Sequence, residues 1–376
     1  MFFQFLLSAL PALAWATYTV HHPNGTYKVS VQDRQLNNTH LPDPYLPLPY
    51  RLIEISIITP VANTSCKPVT QPYIAAPKSA HFWEQALTNL TGFSFNGTIS
   101  QTVLELCKPE EPNTAIWGRE KPVILFAPGA GYPRQLYSIL LTTLVAKSGY
   151  TIISFEQPGY AEFETFPDGT TETGKTNVSA GNGLNFLVQD VSFILDTLHN
   201  STNSKSTKVG MFGHSEGGAV TAASILADPR LLGGINLDGA FYGPPLAMNA
   251  SINVPFAIFS SSIHNQSTSP SWPVVWANLY GDKWQIQLND SQHASYGDFP
   301  FLADLWGLRN GKTPKEVTEV IDELVGGIGG GEAVEAVSEL VKTFFDVLFE
   351  KEDARDVVNT ADEEGVWKVQ NVTVVS

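Results

Sequence analysis

Val209-Gly-Met-Phe-Gly-His-Ser-Glu-Gly-Gly218 decides how this chain is read. The apolar run Lys208–Phe212 has strand character, and a helical pattern begins near Gly217. Between them stands Gly213-His214-Ser215-Glu216-Gly217, a G-x-S-x-G sequence in the strand–turn–helix context where it makes a nucleophile elbow. The glycines answer a crowding problem. A serine at the apex of so sharp a turn takes a strained backbone, and a Cβ two residues to either side would strike the neighbouring strand or helix. The turn lifts the Ser215 hydroxyl to the end of a sheet beside a helix N-terminus, where developing negative charge is favoured.

A serine hydroxyl needs a base to take its proton. In a chain organised this way the acid and then the histidine follow the serine. His264 and His293 are the candidates. His293 follows the strand run Lys283–Leu288, where a base can reach the nucleophile, whereas His264 lies beside the Asn265 sequon in what reads as a solvated loop. For the acid, Asp238 ends the run Gly233–Leu237, and the segment after Pro255–Ser260 offers Ser261, Ser262 and Ile263 but no carboxylate. Asp238 would hold His293 in the right tautomer and stabilise its imidazolium. The oxyanion hole would take one backbone N–H from Glu216 and a second from Ala130, in Gly129-Ala130-Gly131 after the run Lys121–Phe126. A carboxylate beside an oxyanion is costly, so Glu216 should point away or be neutralised. His214 reads as a satisfied core imidazole. Tyr132, Trp272 and Trp276 are candidates for an acyl pocket, although core packing explains the tryptophans equally well.

Outward from the elbow, helical stretches at Arg134–Lys147, Asn182–Leu198 and Gly217–Ala227 alternate with strand runs at Tyr150–Phe155, Gly233–Leu237 and Pro255–Ser260. That alternation implies an α/β chain, with a mostly parallel sheet and helices on both faces. Residues 17–115 read as an N-terminal antiparallel extension containing Tyr27–Val31 and Arg51–Thr59, the latter alternating like a half-buried strand. Residues 116–308 read as the catalytic core and 309–376 as a helical segment, with Thr313–Leu324 and Glu332–Phe349 joined by a flexible Gly326–Gly331. The polar stretch 158–181, with Phe163 and Phe166, is a lid candidate that a plain surface loop would also explain.

The chain has 376 residues, of which 43% are hydrophobic and 16% charged, enough apolar material for one large core. Its net charge of −15, with no cluster of Lys or Arg, argues against nucleic acid and anionic membranes but not against zwitterionic lipid. No metal spacing or phosphate loop is evident, so no cofactor is expected. Residues 1–16 read as a secretory signal: Phe2–Leu13 is apolar and Ala14-Trp15-Ala16 resembles a cleavage site, although no Lys or Arg precedes the apolar run. Eleven Asn-X-Ser/Thr sequons begin at Asn24, Asn37, Asn63, Asn89, Asn96, Asn177, Asn200, Asn249, Asn265, Asn289 and Asn371, and this density points to a glycosylated extracellular protein. In an oxidising compartment Cys66 and Cys107 would pair.

Five pieces resemble the plasma/intracellular type II platelet-activating-factor acetylhydrolase family, including its secreted fungal relatives. They are Phe126-Ala-Pro-Gly-Ala-Gly131, Leu136–Gly149, Gly213-His-Ser-Glu-Gly-Gly218, Gly234-Ile-Asn-Leu-Asp-Gly239 and Gln292-His-Ala-Ser-Tyr-Gly-Asp-Phe299. The order and spacing of Ser215, Asp238 and His293 are similar too. Pro128 and Glu216 depart from that family's pattern. The resemblance implies an α/β-hydrolase fold and calcium-independent hydrolysis of short or oxidised sn-2 acyl groups from phospholipids. Competing readings are a general carboxylesterase, lipase or polyester hydrolase, and a binding protein that keeps the fold without the chemistry.

Overall fold

The computed structural model describes residues 17–109, 122–156, 159–174, 183–202, 207–311, 313–350 and 352–375. The expected signal, residues 1–16, lies outside them. In chain order the strands and helices begin with β1 (Tyr18–Val20), β2 (Lys28–Asn38), β3 (Arg51–Val61), β4 (Pro68–Pro72), α1 (Pro77–Thr91) and β5 (Thr102–Cys107). They continue with β6 (Val123–Ala127), α2 (Ser138–Ser148), β7 (Thr151–Phe155), β8 (Phe163–Thr165), β9 (Thr171–Thr173), α3 (Leu184–Thr202), β10 (Val209–His214) and α4 (Glu216–Ala227). Then come β11 (Leu231–Leu237), β12 (Phe256–Ser260), α5 (Ser271–Ala277), β13 (Lys283–Leu288), α6 (Phe299–Leu305), α7 (Lys315–Val325), α8 (Gly330–Glu350), α9 (Asp356–Glu364) and β14 (Trp367–Thr373).

One sheet organises the molecule, in the order β14-β13-β12-β11-β10-β6-β7-β3-β2. Strands β7, β6, β10, β11, β12 and β13 run parallel, and antiparallel strands close both edges. Period-two alternation sorts each central strand between two cores. From β6, Ile124 and Phe126 join a cluster with Leu140 and Leu144 of α2 and Phe344 of α8. Val123 and Leu125 face the other way, onto Leu187 and Val191 of α3 and Val220 of α4. Both faces are covered, which is why the strands read as unbroken apolar runs. The chain therefore has the α/β-hydrolase architecture expected of it.

Three expectations change. The N-terminal antiparallel segment joins the main sheet through β2 and β3, and the C-terminal segment adds the edge strand β14 as well as helices. Strand β3 lies between β7 and β2, and its polar alternate positions are buried rather than solvated. Ser56 accepts a hydrogen bond from Arg134 Nε at 2.9 Å, and Glu54 accepts one from Gln35 at 2.6 Å. The described part of 158–181 forms the hairpin β8–β9, with Phe166 buried and Phe163 stacked on Phe82 of α1 at 4.9 Å. Residues 158 and 175–181 lie outside the described residues.

Cys66 and Cys107 form a disulfide with Cα atoms 5.2 Å apart, fastening the chain before β4 to the end of β5. The sequon asparagines within the described residues are all exposed or half-buried, and Asn177 falls outside them.

Candidate active site

Ser215 sits between β10 and α4 with φ 55° and ψ −120°. Its N–H donates to Leu237 O, which locks the turn onto β11. The crowding expected of the motif is visible atom by atom. A Cβ on Gly213 would lie 2.3 Å from the Gly217 backbone, and one on Gly217 would lie 2.0 Å from Ala127 O. Gly218 meets the Asn236 side chain and Gly239 meets Ser215 O in the same way. At Gly213, Gly217 and Gly239 the atoms struck are backbone, so a side chain there would force the turn itself to move; at Gly218 it would displace the Asn236 side chain.

His293 follows β13 in a short 3-10 turn, His293–Tyr296, closed by a reciprocal cap between Gln292 and Ser295. Its Nε2 is 2.9 Å from Ser215 Oγ, and its Nδ1 is 2.7 Å from Asp238 Oδ2. Asp238 is buried at the end of β11 with φ 58°. The geometry thus brings Ser215, His293 and Asp238 into one hydrogen-bonded line.

The segment after β12, which holds no carboxylate, contributes donors instead. Ser261 N–H donates to Asp238 Oδ1 at 2.7 Å, and Ser261 Oγ donates to Oδ2 at 2.9 Å. His264, expected in a solvated loop, is in the site: its Nδ1 lies 2.8 Å from Asp238 Oδ2. Its loop folds back over the acid, a long-range placement that local composition does not encode. Burial alone would raise the Asp238 carboxyl, but hydrogen bonds from His264 and His293 hold it below its ordinary value. The three side chains converge within 4.8 Å, joined by protons, since each Nδ1–H donates to the carboxylate.

The loop after β6 turns at Gly129–Tyr132, where Tyr132 N–H donates to Gly129 O and Gly131 has φ 82°. This is a turn with glycine at the position requiring positive φ. Ala130 stands at its apex, and a Cβ on Gly129 would be 3.2 Å from Ser215 Cβ, so the loop abuts the nucleophile. Glu216 opens α4, so its N–H has no acceptor within the helix. The Glu216 N–H thus starts the helix beside Ser215, and the turn that carries Ala130 lies against the nucleophile.

His214 is buried, as expected. Its Nε2 lies 2.9 Å from His293 O and therefore donates, which leaves Nδ1 to accept from Tyr137 OH at 2.8 Å. Tyr137 in turn accepts from Gly129 N–H at 3.1 Å. Burial and the neighbouring His293 push His214 down to about 3, keeping it neutral. This chain of bonds joins the Gly129 loop to the backbone of the base, and Tyr137 was not singled out in the sequence.

Glu216 is buried and its Oε1 has no hydrogen-bond partner among the described residues. Burial pushes its carboxyl up to about 7, so it is neutralised by protonation over much of the acid range. Tyr132 packs beside Trp83 and Phe299, with ring centroids 5.8 and 5.7 Å away. The expected pocket wall at Trp272 needs correction. That side chain has no exposed surface to offer an acyl chain, and its indole N–H supports the acid turn by donating to Gly239 O at 2.7 Å. Trp276 is half-buried, with the Lys283 ammonium 4.8 Å from its ring centre.

Asp298, quoted above for the resemblance, accepts from Ile139 N–H, Leu140 N–H and Tyr73 OH at 2.9–3.0 Å. It caps α2 and so ties the base loop to the helix behind the Gly129 turn.

No protein-family model matches the sequence. The chain is 27% identical over 371 residues to a protein of Arthroderma benhamiae named as a probable 1-alkyl-2-acetylglycerophosphocholine esterase, covering 93% of this chain and 92% of that one. In structure it is similar to a ferulic acid esterase from Streptomyces cinnamoneus. The TM-score is 0.76 at 20% identity, and the match covers 95% of this chain and all of the other. The second likeness bears on the fold alone. Among the described residues, no helix is long and apolar enough to cross a membrane.

Proposed function

We propose that this esterase of the α/β-hydrolase fold is a secreted, glycosylated serine hydrolase that cleaves short or oxidised sn-2 acyl groups from platelet-activating-factor-like phospholipids. The observation that carries the reading is the continuous line from Ser215 Oγ to His293 Nε2 at 2.9 Å, and from His293 Nδ1 to Asp238 at 2.7 Å, on a strained elbow. Ser215 Oγ attacks the ester carbonyl while His293 takes its proton. The oxyanion is met by the N–H groups of Glu216 and Ala130, and Asp238 stabilises the imidazolium. His293 then protonates the departing alkoxide, leaving an acyl-enzyme; the same imidazole takes a proton from water, which attacks the acyl carbon, and returns it to Ser215 Oγ as the acid leaves. No cofactor enters this sequence of steps.

The relative's printed name and the five sequence pieces support the phospholipid substrate. Secretion is supported by the apolar run Phe2–Leu13, the exposed or half-buried sequon asparagines and the disulfide.

The test is turnover of p-nitrophenyl esters from acetate to palmitate, and of a short-chain 2-thio phospholipid, by wild type and Ser215→Ala. Activity confined to short chains, including the phospholipid, and lost at least a thousandfold in the variant is the expected result. Short-chain turnover without the phospholipid would instead make the protein a general esterase. Turnover that survives Ser215→Ala would sink the mechanism.

A further inference from the structure

We propose that His264 is a second positioning histidine, which holds Asp238 in place and competes with His293 for the same carboxylate oxygen. The inference rests on the triad reading above and adds a residue to it.

Three donors converge on Asp238 Oδ2: His293 Nδ1 at 2.7 Å, His264 Nδ1 at 2.8 Å and Ser261 Oγ at 2.9 Å. A triad needs one imidazole on its acid, and the second is not demanded by packing, since His264 is about a third exposed. Its ring stands 5.7 Å from that of His293 and 6.3 Å from Trp272 of α5, nearly perpendicular to both. Among the described residues, the titratable groups facing it are Asp238 from the end of β11 and His293 from the turn after β13; α5 presents only the Trp272 indole. His214, whose ring stands 4.7 Å from that of His293, is held neutral by burial.

While neutral, His264 fixes the carboxylate with one N–H and leaves its charge available to His293. As pH falls, the hydrogen bond and negative charge of Asp238 favour a proton on His264. The carboxylate is then paired with a full cation. The transition state, which requires an imidazolium at His293, would place a second cation on the same oxygen. Charging His264 therefore removes the support Asp238 lends to catalysis, even in molecules whose His293 is still free to act as base.

The consequence is an acid limb set by the pair of histidines rather than by His293 alone. The profile of kcat/KM against pH would be recorded for wild type, His264→Asn and His264→Ala, with Tm alongside. Asn offers an amide N–H near the position of Nδ1 but cannot charge. In His264→Asn the acid midpoint should move down by about half a pH unit or more, so that activity persists in more acid solution. In His264→Ala the midpoint should also move down, with kcat reduced more than KM rises because Asp238 is less firmly held. An unmoved or raised midpoint in a folded His264→Asn protein would overturn the proposal, since a merely structural histidine would change Tm alone. Ring-proton NMR titration of the Ser215→Ala protein is independent of turnover and of the variants' folding. The proposal requires the His264 and His293 curves to bend at each other's midpoints; independent single-step curves would overturn it, and would do so without touching the esterase reading.

Discussion

Tyr137 places one hydroxyl between two parts of the catalytic apparatus. It receives the Gly129 N–H and donates to the neutral His214, which holds the backbone of the base through His293 O. The Gly129 loop and the His293 turn are thereby kept in mutual register by groups that never meet substrate. Replacing Tyr137 with Phe leaves a buried N–H and a buried imidazole nitrogen unpaired, at a cost of about 1–3 kcal/mol. The loop offering the Ala130 N–H would loosen at the same time. The expected outcome is a kcat lowered about tenfold or more with KM nearly unchanged, because oxyanion donors act in the transition state rather than on bound substrate. Steady-state kinetics on a short-chain ester, with Tm measured beside them, tests this; an equal change in KM would place the hydroxyl in substrate binding instead.

At the level of elements, the site is fastened from behind. Asp298 joins the base loop to the N-terminus of α2, Tyr296 OH donates to Ser260 O at the end of β12, and Ser295 Oγ donates to Val325 O at the end of α7. The helical segment beyond the catalytic core thus contributes to the position of the base. The small sheet β1-β5-β4 shares no strand pairing with the main sheet, but Val20, Leu104 and Leu106 pack into the same core as Ile124 and Phe126, and Cys66–Cys107 ties the start of β4 to the end of β5. The bridge closes a separation of 41 residues. Loop-closure entropy values a link of that span at roughly 3–4 kcal/mol. The double variant Cys66→Ser/Cys107→Ser should lose stability of that order in urea unfolding, and a loss under about 1 kcal/mol would show that β4 and β5 hold together without the bond.

Across the whole molecule, buried carboxyls set the response to pH. Burial pushes both Glu54 and Glu216 from an ordinary 4.5 to about 7. Between those values the folded chain binds more protons than the unfolded one, so stability falls as pH rises through the window and levels off above it. His264, raised by its bond to Asp238, and Asp298, pushed by burial to about 7, contribute with the same sign, whereas His214, pushed down to about 3, opposes them only below its ordinary 6.5. The net charge of −15 adds to the trend, since self-repulsion grows as carboxyls ionise. Tm should therefore be higher at pH 5 than at pH 8. Glu216→Gln should raise it at pH 8 by an amount equivalent to about 1–3 kcal/mol and flatten the slope. A variant with an unchanged slope would mean that Glu216 is ionised in the folded protein and has found a partner.

Ser215, Asp238 and His293 could be read from the chain because each is announced locally. Glycines mark the elbow, strand runs end at the acid and before the base, and the order along the chain matches the order of the chemistry. The parallel sheet was legible for the same reason, since strands covered on both faces must be apolar throughout. His264 and Tyr137 were not, because their roles depend on a loop folding back over Asp238 and on a helix start facing the Gly129 turn. Nor was the burial of Glu54 and Ser56: alternation in β3 reports that two faces differ, not that one is solvated, and only the segment carrying Arg134, which packs over that face, decides this. Edge strand β14 is not legible because only Trp367 in it is buried and no alternation follows. Periodicity and turn chemistry act over a few residues and are written in the sequence; which loop covers which carboxylate is settled only when the sheet has brought distant ends together.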